Sequence, residues 1–240
     1  MKKIRIRFSK HGAVRYIGHL DVMRYFQKTI RRAKINVTYT GGFSPHQVMT
    51  FASPLGVGIE SDGEYMDIGI EDEVPDTAAI MTSLNEASVP GIRILSVKVL
   101  PDDAGNAMSS LFASSYKVTF YEDKAGTFSD RELVMNMINK MNELDRIIYH
   151  KETKKTTRDI DLKELIYDLH LDEDSAGNMP VICMTINSSS ADSIKPSFII
   201  EYMCGMYGYS LPENALKILR TDMFSLDDNE KMISMGSIGA

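Results

Sequence analysis

Cysteine is scarce in this 240-residue sequence, and long apolar runs are absent from it. The two cysteines, Cys183 and Cys204, are too few for a disulfide framework, so we expect two reduced thiols. No run of 18 apolar residues is present, and the basic first residues do not lead into an apolar segment. The sequence therefore predicts a cytoplasmic protein with no membrane span and no secretory signal.

Local motifs for metals, nucleotides and covalent catalysis are also missing. The sequence has no Cys-x-x-Cys pair, no His-Glu-x-x-His motif and no Gly-x-x-x-x-Gly-Lys-Ser/Thr loop. Gly56 and Gly58 lack the third glycine of a dinucleotide-binding turn, and no Gly-x-Ser-x-Gly elbow occurs. We therefore expect no cofactor and no metal site built from local spacing, although acidic residues that are distant in sequence can still converge.

Basic residues are missing from residues 35–92, where nine carboxylates occur. Residues 1–34 hold eleven Lys and Arg side chains and a single acid, Asp21, which gives this segment a local charge of +10. The formal net charge of −6 conceals this polarity. Concentrated positive charge predicts a polyanionic partner, and nucleic acid is the first candidate.

The order of predicted elements indicates the fold class. Charged and apolar residues alternate over residues 3–8, which predicts a strand with one buried and one solvated face. Apolar residues recur at helical spacing over residues 19–34, which predicts an amphipathic helix with a cationic solvent face. Shorter strands, a second helix beginning at Pro75 and a strand over residues 92–100 complete the split βαβ pattern of a ferredoxin-like domain.

The second half of the chain repeats this order. Residues 101–110 are rich in Pro, Asp, Gly, Asn and Ser and predict a linker. A helix over residues 129–141 follows, with Ser129 as its N-cap and Glu132 completing a capping box. We therefore expect an α+β protein with two tandem ferredoxin-like (βαββαβ) domains, residues 1–100 and 111–227, each an antiparallel sheet with helices on one face. Residues 228–240 carry no clear pattern and are predicted to form a disordered tail.

A predicted loop between two strands holds the densest group of unusual residues. Its two glycines permit the backbone to approach a ligand closely, and an aromatic ring and an imidazole stand beside them. The loop therefore suits contact with a nucleotide or a partner through Gly41, Gly42, Phe43, Ser44 and His46. The alternative is a tight hairpin in which Phe43 folds back into the core.

Several motifs in the first third of the chain carry a family resemblance, among them Arg7-Phe8-Ser9-Lys10, Ile17-Gly18-His19-Leu20-Asp21, Gly42-Phe43-Ser44-Pro45-His46 and Leu55-Gly56-Val57-Gly58. The sequence resembles the radical-SAM-linked uncharacterised protein family, whose members occur alone or as a C-terminal extension of a radical SAM protein. Ser44 stands where the family usually has Asn, and the cysteine triplet of a radical SAM enzyme is absent. The resemblance therefore implies an accessory module that works with a radical SAM partner.

The predicted architecture is also similar to the repeat-associated RNA-binding proteins of CRISPR systems, some of which cut RNA without a metal. In such a reaction His46 or His11 would act as the general base on a ribose hydroxyl. A third histidine, His19, begins the predicted helix, where capping or packing is the favoured explanation.

The cationic side chains are the candidate RNA ligands. The predicted phosphate contacts are Arg5, Arg7, Lys10, Arg15, Arg24, Lys28, Arg31 and Arg32, with Lys151, Lys154, Lys155 and Arg158 as a second basic group. One alternative is that these cations pair with the nine carboxylates of residues 60–86 and hold the first domain together. Another alternative is docking on an acidic protein. Four aromatic residues are candidates for base stacking: Tyr39, Phe43, Phe51 and Tyr65.

The sequence therefore favours an RNA-binding accessory module that recognises a structured RNA, such as tRNA or rRNA, for a radical SAM modification enzyme. Two alternatives stay open. One is a metal-independent RNA endonuclease that uses His46 or His11, and the other is a protein adapter that docks on a radical SAM protein.

Overall fold

The computed structural model describes residues 1–152, 157–173, 179–190 and 192–240, apart from the side chains of residues 150–152, 157 and 158. The described part is a mixed α+β fold with mostly antiparallel strands. Its strands are β1 Lys2–Lys10, β2 Met49–Phe51, β3 Glu60–Ile70, β4 Ile92–Val99, β5 Ala113–Phe120, β6 Ile148–Glu152, β7 Thr157–Asp161, β8 Ile166–Leu171, β9 Ile182–Asn187, β10 Leu216–Leu226 and β11 Met232–Ser234. Its α-helices are α1 His19–Arg32, α2 Thr77–Glu86, α3 Ala107–Ser110, α4 Glu122–Ala125, α5 Arg131–Glu143 and α6 Pro196–Met206. Within these described residues, no helix is long and apolar enough to span a membrane.

The chain divides into two compact units. The first unit contains residues 1–112 and 220–240, and the second contains residues 113–219. This division differs from the predicted one, because the predicted linker over residues 101–110 and the predicted tail over residues 228–240 both belong to the first unit.

The first unit is built on β1, which lies between β3 and β4 and is antiparallel to both. The strand order is β4-β1-β3-β10; β2 also pairs with β3, and β11 pairs with β10. Ile4, Ile6 and Phe8 are at most 1% exposed because their alternation directs them to the same face of β1. They pack against Phe26 and Ile30 of α1, so the apolar stripe of this helix forms the main core of the unit.

The opposite face of β1 is covered as well, contrary to the predicted solvated face. Lys3 donates to the carbonyl of Ala104 at 2.6 Å, and Arg5 donates to the carbonyl of Gly105 at 3.4 Å. A second apolar cluster consists of Ala52, Tyr65, Ala107, Leu111, Met223 and Met235. The predicted linker therefore packs as part of the unit, and its helix α3 begins with the fully buried Ala107.

The predicted disordered tail is also wrong. Residues 232–234 form β11, and Met235 is completely buried. Ala240 exchanges two backbone hydrogen bonds with Val99, at 2.8 and 3.1 Å. The prediction missed β11 because a three-residue strand is too short to show the two-residue alternation of a strand.

The second unit has its own core. Its strand order is β5-β9-β8, with residues 216–219 at the start of β10 beside β5, and β6 pairs with β7 in a separate hairpin. The predicted helix at residue 129 begins instead with Asp130 as its N-cap, whose carboxylate accepts from the backbone N–H groups of Glu132 and Leu133 at 3.0 and 3.3 Å. Ser129 donates to the carbonyl of Gly126. Asp outcompetes the preceding serine because its charged oxygen is the stronger acceptor at the positive end of a helix.

Candidate nucleic-acid interface

The cations of residues 1–34 separate into two groups. Those on β1 and on the 3₁₀ helix Gly12–Tyr16 make contacts within the first unit. Arg5 is 2% exposed, and its Nε and Nη2 atoms donate to the two carboxylate oxygens of Asp67 at 2.8 and 3.0 Å. The prediction that Arg5 binds phosphate is therefore wrong, because its charge is buried and already neutralised.

Lys10 is also buried, with 1% exposure. Its Nζ atom donates to the carbonyl of Ile17 at 2.9 Å and lies 3.4 Å from that of Arg15. Burial lowers the pKa of Lys10, and the negative charge of Glu64 opposes this shift. Lys10 thus ties the end of the 3₁₀ helix to β1, and the prediction of a phosphate contact is wrong here as well.

Glu64 and Arg220 form the second buried ion pair of the unit. The Nη1 atom of Arg220 donates to both carboxylate oxygens of Glu64, at 3.0 and 3.2 Å, and both side chains are about 5% exposed. Burial raises the pKa of Glu64, while the charges of Arg220 and Lys10 act in the opposite direction. Sequence reasoning missed this pair because its two members stand 156 residues apart.

Arg7 and Arg15 are partly exposed, but their guanidinium groups contact the same unit. Arg7 donates to the carbonyls of Asp62 at 3.1 Å and Thr221 at 3.3 Å. Arg15 pairs with Glu60 at 3.1 Å and lies over the ring of Tyr16. The alternative of internal pairing with the carboxylates of residues 60–86 therefore holds for Arg5 and Arg15, whereas the hydrogen bonds of Arg7 go to backbone carbonyls.

The cations of α1 behave differently. Arg24, Lys28 and Arg31 are exposed and spaced by four and three residues, so they lie along one face of the helix over about 10 Å. We call these three residues the basic stripe. Arg32 is directed elsewhere, since it donates to Thr29 Oγ1 and to the carbonyl of Ala87, both at 2.9 Å.

The basic stripe has almost no compensating charge. Among the described residues, its one ion pair joins Arg24 to Asp21 at 3.4 Å, with both side chains more than 60% exposed. Across the described ranges of the chain, no carboxylate of residues 60–86 forms an ion pair with a cation of α1. Exposed pairs such as Arg24–Asp21 contribute at most about 1 kcal/mol, so the stripe remains available to an anionic ligand.

Residues 41–46 form a wholly exposed loop, which we call the exposed loop. The side chain of Phe43 is fully exposed to solvent, so the alternative in which it folds back into the core is wrong. Gly42 has φ +98°, a conformation that a residue with a Cβ rarely adopts. At the base of the loop, Gln47 Nε2 donates to the carbonyl of Gln27 at 3.4 Å, which joins the base of the loop to α1.

The two candidate general bases have different surroundings. Both ring nitrogens of His11 face carboxylates, with Nε2 at 2.7 Å from Asp62 and Nδ1 at 3.6 Å from Glu60. Neither nitrogen is directed at a substrate, so the assignment of His11 as a base is not supported by its geometry. His46 lies in the exposed loop, where its Nδ1 contacts Thr40 Oγ1 at 3.1 Å. Only His46 therefore keeps a ring edge that a nucleotide could reach.

His19 and the predicted stacking residues divide between core and surface. His19 packs edge-on against Phe51 with ring centroids 5.4 Å apart, and burial lowers the pKa of its imidazole. Phe51 and Tyr65 are 7% and 1% exposed, so they cannot stack on bases. Burial, together with the hydrogen bond to Asp222, raises the pKa of Tyr65. Tyr39 and Phe43 remain as exposed rings.

Comparison with known proteins identifies the family of the chain. A profile of the bacterial family described as "Uncharacterized protein conserved in bacteria (DUF2344)" matches residues 3–196, about four fifths of the chain. The chain belongs to this family. No curated protein matches the DUF2344 chain in sequence. One solved structure that aligns with it is titled "Crystal Structure of a Cbf5-Nop10-Gar1 Complex", at 10% identity and a TM-score of 0.48. That alignment covers 92% of the DUF2344 chain and 48% of the other, so this chain spans about half the length of the protein it matches.

The second predicted basic group of the DUF2344 chain cannot be placed in the interface. Lys154 and Lys155 lie outside the described residues, as do the side chains of Lys151 and Arg158. In the described part of the chain, no group of three or more His, Cys, Asp or Glu side chains is arranged to hold a metal ion. A cavity of about 10 Å³ lined by Lys10, His19 and Glu64 has room for about one water molecule. The candidate interface of the DUF2344 protein thus consists of the basic stripe and the exposed loop.

Proposed function

We propose that the protein binds RNA through the basic stripe and the exposed loop. One observation carries the proposal: among the described residues, three cations lie in a row on α1 with no carboxylate partner beyond the exposed Asp21, and a loop whose base contacts this helix presents an exposed aromatic ring. Cations in a row suit a phosphate backbone, and a bare ring suits a base.

Phosphate binding by the stripe has a measurable salt dependence. Three neutralised phosphates on a single strand release enough counterions to make the logarithm of affinity fall with the logarithm of salt concentration at a slope of about −2. Affinity would then fall roughly 20-fold between about 50 and about 200 mM salt. This dependence separates a phosphate contact from a contact dominated by apolar surface.

Reversing the charge of the stripe tests the proposal. Filter binding to tRNA and rRNA fragments is expected to give roughly micromolar affinity at about 50 mM salt. The triple variant Arg24→Glu, Lys28→Glu, Arg31→Glu is expected to bind at least about 100-fold more weakly. Its plot of the logarithm of affinity against the logarithm of salt concentration is expected to be less steep by about 2. A matched control reverses three exposed cations outside the interface, Arg93, Lys140 and Lys231. Absent binding, salt-independent binding or equal losses in both triple variants would show that the stripe is not an RNA site.

We further propose that the RNA-binding unit serves a radical SAM enzyme that modifies tRNA or rRNA. The support is the resemblance of the motifs around His19 and Phe43 to the radical-SAM-linked family. We also propose that both units are ferredoxin-like, with the orders β4-β1-β3-β2 and β10-β5-β9-β8 as support. In each unit the first strand of the motif would then be central and all neighbours antiparallel.

Affinity purification of the tagged protein from its native host tests the partner. After nuclease treatment, a radical SAM protein is expected to stay bound if contact is direct, and to be lost if RNA bridges the two. Recovery in the nuclease-treated sample together with a failed RNA-binding assay would favour the adapter alternative. A purification that yields no radical SAM protein, treated or untreated, argues against the partnership.

A further inference from the structure

Phe43 has no structural role in the described part of the chain. Its ring is fully exposed, and it belongs to none of the apolar clusters or ring contacts of the first unit. Exposed aromatic rings are the side chains on which single-stranded nucleic acids stack their bases. The Phe43 ring is placed to make such a contact.

Hydrogen bonds close the exposed loop at its base. The Thr40 N–H donates to the carbonyl of His46 at 2.9 Å, and the His46 N–H donates to Thr40 Oγ1 at 3.2 Å. Tyr39 and Gln47 pair as an isolated antiparallel bridge below these bonds. Closure of the loop ends lowers the backbone entropy that is lost when its tip, with Phe43, binds a partner.

The same loop is fixed to the helix that carries the cations. The contact between Gln47 and the carbonyl of Gln27 joins the base of the loop to α1 one residue before Lys28. A ligand that places phosphates along the stripe therefore brings its other groups near the loop. In RNA those other groups are the ribose and the base.

We infer that Phe43 stacks on an unpaired base, and that the RNA recognised here is a single-stranded loop or end of a structured RNA. This inference rests on the proposed RNA-binding function. A base inside a duplex has both faces covered by its neighbours, and the deep, narrow major groove of A-form RNA does not admit side chains. Only an unpaired base offers a free face to a ring that protrudes from a loop.

Stacking on Phe43 does not select one base over another. Every base has an aromatic face, so stacking on Phe43 tolerates all four. The neighbouring exposed ring of Tyr39 can take a second base, and the stripe holds the backbone that connects them. The ligand class is thus a short unpaired segment, held by stacking at one point and by charge along about 10 Å of helix.

The experiment compares a 12-nucleotide single strand with the duplex of the same sequence, using fluorescence anisotropy and the full chain. The single strand is expected to bind more tightly. Phe43→Ala is expected to weaken single-strand binding by about 5- to 150-fold, the range measured for loss of one stacked base, and to leave duplex binding unchanged. Phe43→Trp is expected to keep the affinity, whereas Phe43→Leu, which is apolar without a π-face, is expected to behave like the alanine variant.

A 2-aminopurine base in the single strand reports stacking directly. Its emission is expected to change on binding to the wild-type protein and to Phe43→Trp, but not on binding to Phe43→Ala. Because Phe43 is fully exposed, all three variants are expected to fold with unchanged circular dichroism and melting temperature.

The possible outcomes separate the two proposals. If neither RNA form binds, the proposed function fails and this inference fails with it. If RNA binds with the expected salt slope but Phe43→Ala retains full affinity, the function stands and base stacking is overturned. Tighter binding of the duplex, or equal affinity of Phe43→Leu and the wild type, also overturns the inference.

Discussion

Replacing Glu64 with glutamine is expected to reduce the free energy of unfolding by about 3–5 kcal/mol, because it removes the buried carboxylate charge that faces Arg220 and Lys10. Glutamine has the shape of glutamate, so the loss reports charge and not volume. Urea unfolding followed by circular dichroism measures the change. Hydrogen exchange in peptides of β3 assigns it to the first unit.

Two further variants show whether the loss of stability comes from the buried charges. Asp21→Asn breaks the exposed pair with Arg24 and is expected to cost at most about 1 kcal/mol. The triple variant Lys10→Met, Glu64→Leu, Arg220→Met removes all three buried charges and is expected to recover most of the lost stability, since apolar groups of similar size replace buried ions well. A Glu64→Gln loss no larger than that of Asp21→Asn would show that water reaches the buried cluster.

Replacing Gly63 with alanine is expected to destabilise the first unit by about 3 kcal/mol. A Cβ atom at this position of β3 would lie 2.6 Å from the Cα of Asp222 and 2.7 Å from the carbonyl oxygen of Thr221. Both are backbone atoms of β10, so no side-chain rotation relieves the clash and β10 must move. The displacement also strains the bond between Tyr65 and Asp222, which joins the same two strands.

Gly41→Ala is the matched control, because an added Cβ would meet nothing within 4 Å there and the backbone has no positive φ. Its free energy of unfolding is expected to change by less than about 0.5 kcal/mol. Thermal and urea unfolding of both variants provide the comparison. Equal stability of Gly63→Ala and the wild type would mean that β3 and β10 do not approach as closely as the structure indicates.

Local periodicity was enough to find the first two helices. The helix predicted over residues 19–34 is α1, two residues shorter, and the helix predicted to begin at Pro75 is α2, which begins at Thr77. The signals were an apolar stripe in α1 and a proline just before the N-cap Asp76 in α2. The exposure of the basic stripe also followed from the 3.6-residue period, since it occupies the side opposite Phe26 and Ile30.

Charged residues on β1 could not be assigned in this way. The alternation of β1 correctly predicted that Ile4 and Ile6 are buried, but it placed Arg5 in solvent. Arg5 is buried by Asp67 and by residues 101–111, which approach from distant parts of the sequence. A two-residue period describes only which side of a strand a residue occupies, and what covers that side depends on tertiary structure.

The exposed loop was found by composition, but its conformation was not. Glycine and proline are used by tight hairpins and by ligand-binding loops alike, so the sequence left both open. The exposure of Phe43 excludes the hairpin in which this ring folds back into the core, and hydrogen bonds between Thr40 and His46 close the loop.

The division of the first unit has a consequence for synthesis on the ribosome. Residues 1–112 emerge early, but β10 and Arg220 follow only after residues 113–219 have been made. At about 5–20 residues per second, β3 waits roughly 5–20 seconds with an open edge and with Glu64 unpaired. The second unit, which is continuous in sequence, can fold during this interval. The nascent chain is thus expected to complete its first unit last, and in that interval the unpaired β3 edge is its most aggregation-prone segment.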